Sequence, residues 1–181
     1  MTFVGNATTV LRLGDFTLLT DPAFGAAGSR VYLGYGAWAR RVEDPALQPG
    51  HNRLLPDVMG SVVELEEDGH RRLRLYVTGD TLFGPHLEEI PRRFGEIDAM
   101  LIHLGGTRLL GILLTMDDRQ GVETTHLIRA GLTLPIHFDD YSVFKSPLND
   151  YLTRARDQGL TGIQPIGRGD TVELPLRIDR V

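Results

Sequence analysis

Apolar and polar residues alternate most clearly from Arg71 to Thr78, where Leu73, Leu75 and Val77 interleave with Arg72, Arg74 and Tyr76. A period of two sends one set to a covered face and the other toward water, so this stretch predicts a half-buried strand. Ser61 to Glu66 precedes it across the turn Glu67-Asp68-Gly69-His70, which predicts a hairpin. An earlier hairpin is predicted from Thr9–Leu13 and Phe16–Thr20 about the turn Gly14-Asp15, and its second strand delivers Asp21-Pro22 at its end. Ala99-Met100-Leu101-Ile102-His103 is apolar on both faces, as in a fully covered strand, and runs into Gly105-Gly106. Pro85 to Phe94 predicts a short helix between these strands, making a strand, helix, strand unit.

Further along, the apolar period lengthens. Leu148, Tyr151, Leu152 and Ala155 recur at helical spacing, with Ser146 suited to the N-cap, Pro147 to the first helical position and Gly159 to termination. Thr115-x-x-Asp118 has capping-box spacing and opens a second predicted helix closed by Gly131. A short strand carries Leu134-Pro135-Ile136-His137, and the C-terminus returns to strands around Gly167 to Asp170. Phe24 to Gly36 has no clear period, and Arg40 to Gly50 contains Pro45 and Pro49, so both read as loop lining a site.

A length of 181 residues suits one domain, taken here as 1–181, and 41% hydrophobic residues are enough to fill its core. The net charge of −5 and the interleaving of Arg pairs with acids argue against nucleic acid as a partner. Absence of cysteine excludes disulfides, thiolate metal sites and a Cys nucleophile, so any metal must be held by His and carboxylate. No signal peptide or membrane span is evident, which gives cytoplasmic as the expected location. Gly34-x-Gly36 lacks the third glycine and the preceding buried strand of a dinucleotide-binding turn, so that class is set aside.

Three residues share a placement that suits chemistry: Asp21, Asp80 and His137 each fall at or just beyond the end of a predicted strand. Rigid strands hold ligands to the geometry a metal demands. Carboxylate and imidazole together suit zinc, iron or manganese. Taken alone, Asp80 reads first as a turn former. Asp139 and Asp140 are either solvated loop charges or partners that fix the tautomer of His137. His103 could face the site or be a hydrogen-bonded core residue, whereas His70, His86 and His126 read as surface or helix-packing residues.

The segments GNATTVLRLGDFTLLTDPAF, LYVTGDT, LIHLGGTRLLGILLTMDDRQGV and LPIHFDDYSVFKSPL occur in an order that resembles bacterial metallo-β-lactamase-fold hydrolases related to N-acylphosphatidylethanolamine phospholipase D. The resemblance implies a mixed α/β fold (α+β or α/β), a four-layer αββα sandwich with metal at one edge of two facing sheets. It matches Asp80 to the bridging metal-ligand aspartate, His137 to the last histidine ligand and Asp21 to a supporting aspartate. It implies hydrolysis of a small-molecule ester, phosphodiester or lactone by metal-activated water. The family's His-x-His-x-Asp-His signature is absent, since the six histidines are scattered along the chain. An internal deletion near residues 49–52 is therefore expected, with His51 as candidate for a later histidine ligand. Such a chain would hold at most a partial zinc (or iron or manganese) site and be catalytically impaired. The alternative is a non-catalytic binding or scaffold protein that retains the fold. Lost cover over one sheet would expose apolar surface and a free edge, favouring a homo-oligomer.

Overall fold

A computed structural model describes residues 1–5, 7–13, 16–21, 30–34, 37–40, 60–109 and 111–177. The expected deletion near residues 49–52 and the candidate ligand His51 lie outside the described residues.

Three strands form the first sheet: β1 (Thr2–Gly5), β2 (Thr8–Leu13) and β3 (Phe16–Thr20), in the order β1-β2-β3 and antiparallel throughout. A separate hairpin follows, β4 (Arg30–Gly34) with β5 (Ala37–Arg40), in the region expected to be loop. Its sequence is rich in Val, Tyr and Trp, which favour strands even where alternation is broken, and the register shift between Tyr32 and Gly34 explains the missing period.

The second sheet contains β6 (Ser61–Glu67), β7 (His70–Val77), β8 (Ala99–His103) and β11 (Leu132–Ile136), in the order β11-β8-β7-β6. Its two parallel pairs, β7 with β8 and β8 with β11, each enclose helical crossovers, as parallel pairing requires. The first crossover ends in α1 (Glu89–Phe94), and the second contains α2 (Asp118–Ile128). A short hairpin of β9 (Arg108–Leu109) and β10 (Ile112–Leu113) precedes α2, and α3 (Leu148–Asp157) follows β11.

Helix ends differ from the sequence expectation in informative ways. Asp117, not Thr115, caps α2 by accepting the Gln120 N–H at 3.1 Å, while the Thr115 hydroxyl accepts the Thr107 N–H at 2.9 Å. The helix ends at Arg129, which takes the left-handed cap conformation two residues before Gly131. Pro147 occupies the cap position of α3, leaving the Ser146 hydroxyl to accept the Asp118 N–H at 2.8 Å and tie the two helix starts together. Gly167 to Asp170 forms a turn rather than strands, although hydrogen bonds from Gly169 and Val172 to Phe3 and Met1 continue the first sheet beyond β1.

Two apolar cores follow from strand alternation. Leu73, Leu75, Val77, Ala99, Leu101, Leu134 and Ile136 face Phe3 and Leu11 of the first sheet. Tyr76, Met100, Ile102 and Leu104 face the other way, against Val122 and Ile128 of α2 and Tyr151 and Ala155 of α3. Burial pushes the Tyr151 hydroxyl up to about 12, and its hydrogen-bond partner is Thr125 at 2.8 Å. The described residues thus supply three layers of the expected four: sheet, sheet and helices. β3 has no strand partner on its outer side among the described residues, and Leu18 and Leu19 on it are 40% and 38% exposed.

Candidate metal centre

Alternation along β8 decides which way His103 points. Ala99 and Leu101 face the first sheet, so His103, two residues further, faces it as well. The ring is buried, and its Nε2 lies 3.6 Å from Asp21 Oδ2 at the end of β3. The preceding strand supports it from below: Thr78 Oγ1 accepts the His103 backbone N–H at 2.9 Å and lies 3.3 Å from His103 Nδ1.

Asp21 and His137 reach this space by a different device. Regular alternation would send each to the opposite face from Thr20 and Ile136, yet both adopt positive φ, 40° and 62°, immediately after their strands end. Non-glycine residues rarely take this conformation, Asp and His being among the better tolerated, and such strain concentrates at functional sites. His137 Nδ1 donates to the Leu104 carbonyl at 3.0 Å and sits 3.3 Å from Asp80 Oδ1. Its ring packs against Phe144 at 4.7 Å and lies 5.7 Å from the His103 ring. Burial pushes the His137 imidazole below its ordinary range, and the carboxylate of Asp80 opposes this. A neutral imidazole with Nδ1–H engaged leaves Nε2 as its free lone pair.

The structure therefore gathers Asp21, Asp80, His103 and His137 at one end of the two facing sheets. Asp139 and Asp140 lie beside it and pair with Arg168 at 3.0 and 3.3 Å; Asp140 is fully buried, so it is no solvated loop charge. His70 and His86 are exposed, and His126 is an exposed helix residue bonded to Gln158 at 2.9 Å. Thr78, the Leu104 carbonyl, Phe144 and Arg168 are contributors that sequence reading missed. Only Thr78 left a signal there, as the last residue before Gly79-Asp80.

Fit to a metal can be tested on the donor atoms. Asp80 Oδ1 and His103 Nε2 are both buried without a hydrogen-bond partner, which is costly for polar atoms and is relieved by a cation. Oxygen and imidazole nitrogen suit a borderline divalent ion. In side-chain placement the fit is partial, because among the described residues no three His, Asp or Glu groups converge on one point.

Gly105 gives the site its shape. Its φ is 113°, and a Cβ there would meet the His137 carbonyl at 2.8 Å and the Phe144 ring at 3.0 Å. Gly105→Ala is expected to destabilise the fold by about 1–3 kcal/mol through backbone strain and to displace His137. Urea unfolding with a histidine-resolved NMR spectrum checks this, and an unchanged His137 resonance would contradict it.

Comparison with known proteins bears first on this architecture. Over 96% of its length the chain superimposes on an isothiocyanate hydrolase from Delia radicum gut bacteria, with a TM-score of 0.72, 12% identity and 98% of that chain covered. A protein described as "a possible metal-dependent hydrolase" from Veillonella parvula gives a TM-score of 0.74 at 14% identity, covering 96% of this chain and 98% of the other. The chain shares the mixed α/β fold of these two proteins, with two facing sheets and helices outside. In sequence, 96 residues (53% of the chain) are 30% identical to a UPF0173 metal-dependent hydrolase of Anaeromyxobacter sp. (strain K). The match spans only 30% of that relative's length. No family model matches the chain. None of the helices formed by the described residues is long and apolar enough to cross a membrane.

Proposed function

We propose that the protein is a metal-dependent hydrolase of the metallo-β-lactamase superfamily, of the branch related to N-acylphosphatidylethanolamine phospholipase D. It acts on an ester, phosphodiester or lactone, with catalytic power reduced by a thin ligand set. The observation that carries this reading is the buried, unpartnered Asp80 Oδ1 beside a His137 turned toward it by a left-handed backbone. The partial similarity to a UPF0173 metal-dependent hydrolase supports it. Asp80 and His137 would hold the ion, zinc or alternatively iron or manganese, with Asp21 and His103 beside them. A divalent ion held by these residues would supply water activation and Lewis-acid polarisation for hydrolysis. The protein's own share is positional. The Leu104 carbonyl holds His137 with Nε2 presented, Phe144 packs on its ring, and both imidazoles are buried.

The lack of three converging groups among the described residues favours a second reading, a non-catalytic binding protein that keeps the fold. Elemental analysis after exhaustive dialysis, followed by assays on generic phosphodiester, ester and lactone substrates, separates the two. Retained transition metal near one per chain with chelator-sensitive turnover is expected. A metal-free, inert chain would overturn the hydrolytic reading.

A further inference from the structure

The loop after β11 begins with His137, and a charge pair three residues on ties it to the turn Gly167–Asp170. Asp140 is fully buried, and a buried carboxylate is tolerated only beside a compensating cation. Arg168 supplies one. Its Nη2 lies 3.3 Å from Asp140 Oδ1 and donates to Asp139 Oδ1 at 3.0 Å. One guanidinium nitrogen thus serves two neighbouring acids that would otherwise repel each other. Gly5, the last residue of β1, makes room for the pair. A Cβ there would stand 3.0 Å from Arg168 Nε and 3.4 Å from Asp140 Oδ1, and its φ of 138° disfavours any side chain.

The turn that carries Arg168 is itself held. The Asp170 carboxylate accepts the Gly167 N–H at 2.8 Å and closes it. Gly169 N–H donates to the Phe3 carbonyl at 2.7 Å, and Phe3 N–H to the Asp170 carbonyl at 3.0 Å, which docks the turn on β1. Ile166 and Val172, on either side, are buried in the core between the sheets. The guanidinium therefore projects from a fixed base. Across the pair, the chain from His137 to Asp140 can span about 10 Å at most, so movement of one is passed to the other. The φ of 62° at His137 persists only where its surroundings over-determine it. The Leu104 carbonyl is one such constraint, and the anchored Asp140 is a second. We infer that Arg168 is a positioning residue of the candidate centre: by pinning Asp140 it fixes the loop that turns the His137 imidazole toward Asp80. Its effect on metal binding rests on the reading of the site as a metal centre, whereas its hold on His137 needs no metal.

A histidine-resolved NMR spectrum of the full-length chain in chelator tests the hold directly, with His137→Gln identifying the signal. Arg168→Met is expected to displace the His137 signal from its wild-type position. Arg168→Lys, which keeps the charge and spares the fold, should displace it in the same direction and by less. Tyr151→Phe is the control, since it removes a buried hydrogen bond to Thr125 in the helix-side core; it should lower Tm and leave the His137 signal in place. In zinc titrations Arg168→Met should weaken binding by about tenfold to a hundredfold, and Arg168→Lys by less. An unmoved His137 signal or full zinc affinity in Arg168→Met overturns the inference and leaves the metal centre standing. So does a signal that Tyr151→Phe displaces as far, because it would then report general loosening. Should Arg168→Met fail to fold, an unmoved signal in Arg168→Lys overturns the inference equally. If wild type takes up no zinc, the metal reading falls, and the His137 signal in chelator alone decides the role of Arg168.

Discussion

Asp80→Asn is expected to weaken metal binding by more than about 100-fold, beyond the loss typical of a residue that only orients a ligand. The same substitution should leave the metal-free chain as stable as wild type or more stable, by up to about 1 kcal/mol. The two signs follow from one fact. Asp80 Oδ1 is buried without a hydrogen-bond partner, so without a cation it is an uncompensated acceptor, and an amide carries no net charge to desolvate. Its attraction to His137 at 3.3 Å adds little, because burial holds that imidazole toward its neutral form. With metal in excess the order reverses. A hundredfold loss of affinity removes about 2.7 kcal/mol of ligand-linked stability, or roughly 5–10 °C in Tm for a chain of this size. Thermal unfolding of both proteins with zinc and with chelator reads all of this in one experiment. A variant destabilised equally in both conditions would show that Asp80 is structural.

That experiment bears on what the sequence made legible. Strand-end placement brought Asp21, Asp80 and His137 to notice, and the structure gathers them. The alternation of Leu73, Leu75 and Val77 was readable because Arg72 and Arg74 stand on the opposite, more accessible face of β7 and supply the polar contrast. The orientation of His103 was readable in principle from Ala99 and Leu101, but an all-apolar strand shows no contrast between its faces, so the period that decides it was hidden. Backbone devices left no pattern at all. The positive φ at His137 and the Leu104 carbonyl that fixes its tautomer depend on partners brought in by another strand. The β4–β5 hairpin was missed because its register shift breaks the alternation by which strands are found.

Leu101→Ala is expected to destabilise the protein by about 2–5 kcal/mol, a large share of the roughly 5–15 kcal/mol that holds a domain folded. Leu101 is fully buried at the middle of β8, with Val77 and Leu134 as its cross-strand neighbours on either side. Strands on both sides and the first sheet opposite restrict collapse, so most of the cavity should persist. Leu18→Ala, on β3 and 40% exposed, should cost less than about 1 kcal/mol although the same atoms are removed. The contrast isolates position from chemistry. His103 also stands on the face of Leu101, two residues along, so a cavity at Leu101 loosens the floor of the site, and metal affinity should fall together with stability. Urea unfolding of the two variants, paired with cobalt titration, checks both. Equal losses at Leu101 and Leu18 would mean that the sheets do not pack face to face across β8. A large loss of stability at Leu101 with unchanged cobalt affinity would mean that the packing of β8 does not set the position of His103.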